Sequence, residues 1–348
     1  MTVSTFIAEN AATCLAIGGL VIGSIFGAVA QRTGFCTLGA ISDWTLFGDK
    51  RRARSWILAV AVALLGAQAL HTLQIVDLNT SLYLSGSMPL GGHILGGLLF
   101  GFGMVLSGGC VSRNLVRAGS GDLRAMVSLL FVSIIVAVTL GGILGPLRVA
   151  LVSATSTAGP LALDPSLTFT VAAAAAAALA AYCFADRDFR TSAPHLVAGL
   201  AIGLCVVAGW AMTGLAFDEF ADQRVQAQSL TFVKPVADSI DWLERATALG
   251  IPPFAVTSVG GVLLGALSMS LATGTFRIAT FAGTRDTVRN LAGAGLMAIG
   301  GVLALGCSIG QGITGLSTLS LGSLVATLSI VVGSVIGLKA SERYSILT

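Results

Sequence analysis

Nine apolar segments, most about twenty residues long and parted by short polar joints, constrain this chain more than anything else in it. They cover roughly 12–31, 56–76, 91–106, 125–147, 167–185, 195–216, 253–273, 291–305 and 319–338. At 1.5 Å rise per residue, a helix of about 20 residues crosses the roughly 30 Å hydrocarbon core of a bilayer. In lipid every backbone polar group has to be satisfied internally, so runs of this length predict helices. The expected fold is all-α and polytopic, a single transmembrane domain over 1–348 with about nine transmembrane helices. Charge agrees: only 10% of residues are charged, against about 25% in soluble domains. The net charge of +3 lies mostly at segment edges, so the expected surroundings are the lipid bilayer and no nucleic-acid partner is expected. The first segment carries a signal-peptide-like Ala28-Val29-Ala30, but no Lys or Arg precedes it. Its length also exceeds a secretory h-region, so it is expected to stay as the first span.

Segments 91–106 and 291–305 are too short to cross, and both run into a Gly-Cys pair, Gly109-Cys110 and Gly306-Cys307. A third such element, Gly34-Phe35-Cys36, follows the first segment. Irregular backbone at membrane depth is tolerated only where it is buried in protein or lines a cavity. Gly-broken apolar segments at matching places in two halves point to a transport site. Four stretches, 33–46, 109–118, 274–282 and 307–316, are therefore expected to be loops with short re-entrant helices. Glycine makes up 44 of 348 residues, which fits close helix packing. An internal repeat lays 106–122 on 271–286 with one gap, so that Leu106/Leu271, Gly109/Gly274, Gly119/Gly283 and Asp122/Asp286 coincide and Cys110 faces Thr275. The chain then reads as two pseudo-symmetric halves, about 12–147 and 253–338, joined by 148–252.

Orientation comes from Lys and Arg, which concentrate on cytoplasmic loops. With the N-terminus outside and nine crossings, fifteen Lys and Arg fall inside, including the 50–54 run. Four fall outside: Arg148, Arg224, Lys234 and Arg245. In the outer loop 217–251, Val236, Ile240 and Leu243 recur at helical spacing and suggest an amphipathic helix on the membrane surface.

The Gly-Cys elements have a chemistry of their own. Glycine lets the backbone turn sharply, and the short helix that follows offers free N–H groups and a positive dipole end to an anion. Thr37, Ser112, Asn114, Ser308, Gln311 and Thr314 add neutral polar groups. A thiol is a weak donor, suited to holding a soft sulfur atom without trapping it; serial weak contacts favour conduction. Cys36, Cys110 and Cys307, with Gly34, Gly109, Gly306, Arg113, Asn114, Ser308, Gln311 and the repeat partner Thr275, form the candidate translocation site. Arg113 has two readings, as an anion attractor or as an interfacial anchor. Cys14, Cys183 and Cys205 lie inside ordinary helices and read as small apolar fillers. Three histidines and sparse intramembrane carboxylates suggest neither metal nor cofactor. A thiol redox or sulfurtransferase enzyme is the competing class; it would need His or Lys beside a cysteine, and neither occurs in the three motifs.

Together, Gly34-Phe35-Cys36, Ser107-Gly108-Gly109-Cys110 followed by Arg113-Asn114-Leu115-Val116-Arg117, and Gly306-Cys307-Ser308-Ile309-Gly310-Gln311-Gly312-Ile313-Thr314-Gly315 resemble the YeeE/YedE membrane-protein family over nearly the whole chain. The resemblance implies an hourglass fold, inner-membrane location, uptake of thiosulfate for sulfur assimilation, and a relay through Cys36, Cys110 and Cys307. It also implies a small cytosolic TusA-like sulfur-carrier partner. After Cys110, Val-Ser-Arg-Asn-Leu-Val-Arg is closer to the YedE branch, which leaves another sulfur or selenium species open as substrate.

Overall fold

The computed structural model describes residues 10–84, 86–158, 165–216 and 226–346. The apolar runs form long helices: α1 (Ala11–Thr33), α3 (Arg51–Thr72), α4 (Leu90–Leu106), α6 (Leu123–Leu140), α8 (Pro165–Phe184), α9 (Ala193–Leu215), α11 (Phe254–Ala272), α12 (Thr284–Leu303) and α13 (Leu321–Ile346). Shorter helices α2 (Thr37–Phe47), α5 (Val111–Gly119), α7 (Gly145–Thr155) and α10 (Val233–Glu244) lie between them. A two-stranded pair, β1 (Ser87–Pro89) and β2 (Ser156–Ala158), ties the loop before α4 to the end of α7. The protein is thus an all-α, polytopic membrane protein. Among the described residues, eight helices are long and apolar enough to span. The ninth expected span, α12, has the length, but Arg285, Asp286 and Arg289 occupy its first two turns. Its apolar stretch begins at Leu291. The fourth segment stops at Leu140 rather than 147, and a new helix starts at Gly145 with Pro146 in its first turn. Proline is favoured there because its missing N–H would be unpaired anyway.

Small residues decide which helices meet. On α1, Gly23 and Gly27 lie against the backbone of Ser258 and Val262 on α11, and Gly261 and Gly265 lie against Leu20 and Ser24 in return. A side chain at any of these would run into a backbone carbonyl, which is how Gly-x-x-x-Gly faces bring helix axes close. Helix α4 carries two glycine faces. Gly97 and Gly101 meet Ala326 and Ile330 of α13, while Gly96 and Gly103 meet Gly300 and Gly293 of α12. The residue order makes α4–α13 parallel and α4–α12 antiparallel. Gly199 and Gly203 of α9 lie on Ser55 and Ala59 of α3, again parallel. Helix α8 is peripheral; Ala172 and Ala176 of its alanine run pack on Ala61 and Leu64.

Three of the four expected short elements are helical turns: α2, α5 and a π-helical turn at Gly310–Gly315. The fourth, 274–282, is not. After the left-handed Gly274 (φ 64°), it runs extended and clips onto the α5–α6 joint. Leu123 N–H donates to Ala279 O at 2.9 Å, and Arg277 N–H to Ser120 O at 3.2 Å. The partner backbone comes from far away in sequence, so local pattern could not foretell it. The surface-helix expectation for 217–251 also changes. Residues 217–225 lie outside the described residues, but 226–232 enter the protein as an extended segment with Leu230 and Phe232 fully buried. Helix α10 follows with Val233, Pro235 and Val236 buried, while Lys234 and the far end, at Leu243, are exposed.

Candidate functional site

Each of the three motif cysteines stands at the start of a short helical turn. Gly34, left-handed at φ 68°, ends α1 by donating to Ala30 O, and Cys36 then caps α2 with its sulfur accepting the Gly39 N–H at 3.5 Å. At the end of α4 the left-handed residue is Gly108 (φ 70°), not Gly109. Gly109 instead leaves room for the Arg113 stem; a Cβ on it would stand 3.1 Å from Arg113 Cγ. Cys110 then caps α5. Beyond α12 the left-handed residue is Leu305 (φ 58°), an unfavourable conformation for a non-glycine residue. Gly306 follows with its N–H on Gly301 O at 2.8 Å. Cys307 Sγ accepts the Gly310 N–H at 3.3 Å ahead of the π-turn.

The three motifs meet. The Cys36 and Cys110 thiols are neighbours, and neither is in a disulfide. Cys110 Sγ is 3.2 Å from Ser112 Oγ and lies beside Ser308, the neighbour of Cys307. Ser308 Oγ accepts from Thr37 Oγ1 at 3.2 Å. One serine therefore links all three chain breaks. The knot is buried: Cys110 is 1% exposed, Cys307 0%, Ser308 2% and Thr37 5%. Among the described residues, the thiols' hydrogen-bond partners are hydroxyls and backbone N–H groups, never His, Lys or a carboxylate. No three His, Cys, Asp or Glu side chains gather there as a metal-binding group. Thiols in such surroundings can make soft, reversible contacts, and none of these partners is a base that would turn cysteine into a strong nucleophile.

Two of the expected site residues brace the breaks. Asn114 Nδ2 donates to Ser107 Oγ at 3.4 Å across the α4–α5 turn, and Gln311 Nε2 donates to Ala304 O at 2.6 Å across the α12 turn. Arg113 places one buried guanidinium nitrogen without a hydrogen-bond partner beside the knot. Thr275 is not brought to it: the residue is exposed, with its hydroxyl on Thr273 Oγ1 at 2.9 Å. The repeat glycines Gly274 and Gly283 match by pattern only, because the clipped segment 274–282 replaces a helix. Cys183 donates to Arg54 O at 3.3 Å between α8 and α3, away from the site.

Two contributors escaped the sequence reading. Thr231, on the buried segment 226–232, sets its hydroxyl 3.9 Å from Cys307 Sγ, and the Phe232 N–H faces the same sulfur. Trp56 packs against Gly312, and its indole N–H is buried without a partner. The Leu230-Thr231-Phe232 triplet inside a polar loop was the available signal for the first. Beside the knot lies a cavity of about 380 Å³ between α2, α3 and α13. Thr37 and Ser308 are in its wall, with Trp56 and Thr327, and it continues along α2 to Trp44 and Thr45.

The model of a family described as sulphur transport matches residues 32–336. A protein named thiosulfate transporter TsuA, from Escherichia coli (strain K12), is 24% identical over 318 residues, 85% of this chain and 86% of its own. A protein of the same name from Spirochaeta thermophila is 26% identical over 336 residues, 91% of this chain and 96% of its own. A third relative, named probable transporter YedE, from Escherichia coli (strain K12), is 30% identical over 105 residues, 30% of this chain and 24% of its own. The chain belongs to the sulphur transport family.

Proposed function

We propose that this member of the sulphur transport family imports thiosulfate across the bacterial inner membrane, passing it along Cys307, Cys110 and Cys36. The observation that carries the reading is the meeting of three helix breaks around one buried serine, Ser308, with two thiols close by and the third one residue away. Thiosulfate has a soft terminal sulfur, and a thiol can donate to it and release it. Each station is built from a cysteine at the head of a short helical turn, so free N–H groups face the path and favour an anion. Serial weak sites let an ion leave as readily as it enters. The TsuA name of two relatives over most of their length supports thiosulfate over other sulfur or selenium species.

We place the N-terminus outside and the C-terminus inside, on the asymmetry of Lys and Arg between the two sides. The two halves, 12–147 and 253–338, act around the shared centre: α1 packs with α11 and α4 with α13, one helix from each half in both pairs. A small cytosolic sulfur carrier of the TusA type is the natural acceptor on the inner side.

The test is uptake of ³⁵S-thiosulfate into proteoliposomes, paired with growth on thiosulfate as sole sulfur source. Cys110→Ala and Cys307→Ala are expected to lose uptake by tenfold or more. Cys183→Ala, whose thiol only bonds Arg54 O, is expected to keep it. Full uptake by both pore variants would remove the relay, and no uptake by the wild type would remove the transport reading.

A further inference from the structure

Several arginines near the helix ends of this protein are matched. Arg117 and Arg124 share Asp122, Arg52 pairs with Asp43 at 3.1 Å, Arg54 with Asp186, and Arg51 with Asp49. Arg113 is the exception inside the site. Among the described residues it has no carboxylate partner, and its Nη1 is fully buried with no hydrogen bond. It sits on the first turn of α5, three residues after Cys110, and its backbone N–H faces the Cys110 sulfur. Its charge acts on Cys36 as well, so the guanidinium lies close to the thiol pair. Gly109 is the residue that makes space for its stem.

Arg113 as a whole is half-buried, but a guanidinium with a buried, unused donor is costly unless something pairs with it. The groups around it are two thiols and the hydroxyls of Ser112, Ser308 and Thr37, with no carboxylate among them. The missing partner has to arrive with the cargo. We propose that Arg113 is the counter-charge for the transported ion at the Cys36–Cys110 pair, and that the site therefore selects a thio-oxyanion. The soft sulfur end of such an ion rests on the thiols while its charged oxygens take the guanidinium, whose planar fork suits oxyanions. Species with only one of these two ends, such as hydrosulfide or sulfate, satisfy half of the site. This deepens the thiosulfate reading and rests on it.

The experiment compares wild type, Arg113→Gln and Arg113→Lys in two assays. In proteoliposomes, Arg113→Gln is expected to raise the KM for ³⁵S-thiosulfate at least tenfold, with Arg113→Lys between it and the wild type. In detergent, sodium thiosulfate is expected to raise the Tm of the wild type more than sodium sulfate or hydrosulfide does, because ligand binding to the folded state stabilises it. Arg113→Gln is expected to lose that shift while keeping the ligand-free Tm, since Arg113 gives up no hydrogen bond from Nη1. A KM within twofold of wild type in Arg113→Gln overturns the assignment and leaves transport standing. A thiosulfate-specific, Arg113-dependent Tm shift without uptake supports the assignment and sinks transport. Equal shifts with thiosulfate and sulfate overturn the thio-oxyanion selectivity. A lower ligand-free Tm in Arg113→Gln points to a structural role and overturns the assignment.

Discussion

Asn290 offers a sharp test of how the Cys110 break is held. It is buried on α12, 8% exposed, and joins three helices. Its Nδ2 donates to Ser107 O at 3.2 Å at the end of α4, and its Oδ1 accepts from Ser128 Oγ on α6. In Asn290→Ala both bonds go. Ser128 keeps a partner, Arg124 O at 2.7 Å. Ser107 O loses the Asn290 donor at the point where α4 has already ended. Interhelical hydrogen bonds in membranes average about 0.6 kcal/mol each, and stranding a buried acceptor adds about 1–3 kcal/mol. The expected loss is about 2 kcal/mol. At roughly 1.5 °C per kcal/mol for a chain of this size, Tm should fall by about 3 °C in detergent, followed by tryptophan fluorescence. Uptake should fall several-fold, because Ser107 is also the residue that Asn114 grips across the turn. Asn290→Asp keeps an acceptor for Ser128 but cannot donate to Ser107 O, so it should behave like the alanine variant. A Tm change below 1 °C with normal uptake, or an aspartate variant equal to wild type, would refute the reasoning.

Gly265→Ala puts a methyl into the Ser24 backbone carbonyl, whereas Gly260→Ala meets nothing within 4 Å. The first should cost about 1–3 kcal/mol by overpacking, and the second should be neutral or slightly stabilising through helix propensity; equal Tm values would show that α1 and α11 do not pack this closely. Asp122 ties α5 to α6. Burial pushes its carboxyl up, but the hydrogen bonds from Arg124 and Arg117 outweigh it and hold the carboxyl below the usual carboxylate range. Its contribution is therefore fully present above the unfolded value of about 4 and fades as pH falls below it. The Tm gap between wild type and Asp122→Asn should be constant from pH 7 to about 5 and narrow towards pH 3; a gap that ignores pH would rule out the carboxylate.

The long spans and the three Gly-Cys breaks were legible because each is written locally, in apolar run length and in glycine followed by a short polar helix. Even there the turn was displaced: Leu305 and Gly108 take the left-handed conformation, not Gly306 and Gly109. What stayed hidden was set by distant backbone. Segment 274–282 reads as a helix until Ser120, Gly121 and Leu123 offer it hydrogen bonds. Thr275 matched Cys110 by repeat alignment, yet that clipped segment leaves it on the surface. Thr231 reaches Cys307 from a loop whose polar composition suggested solvent, because three successive residues, Ser229 to Thr231, find partners inside: Val206 O for the Ser229 hydroxyl, Thr314 for the Leu230 carbonyl, and Cys307 for Thr231.

The parallel pairs α1–α11, α3–α9 and α4–α13 carry a consequence for biogenesis. Two helices joined by a short loop emerge antiparallel, so a parallel neighbour has to come from a distant part of the chain. When α1 leaves the insertion machinery its glycine face has no mate, and it waits in lipid until α11 is synthesised. The thiols of Cys36 and Cys110 likewise lack Ser308 until after α12 has entered. The buried thiol centre is thus closed last, by the stretch that follows α12, and a ribosome that stalls before residue 308 leaves an open, unfinished core in the bilayer.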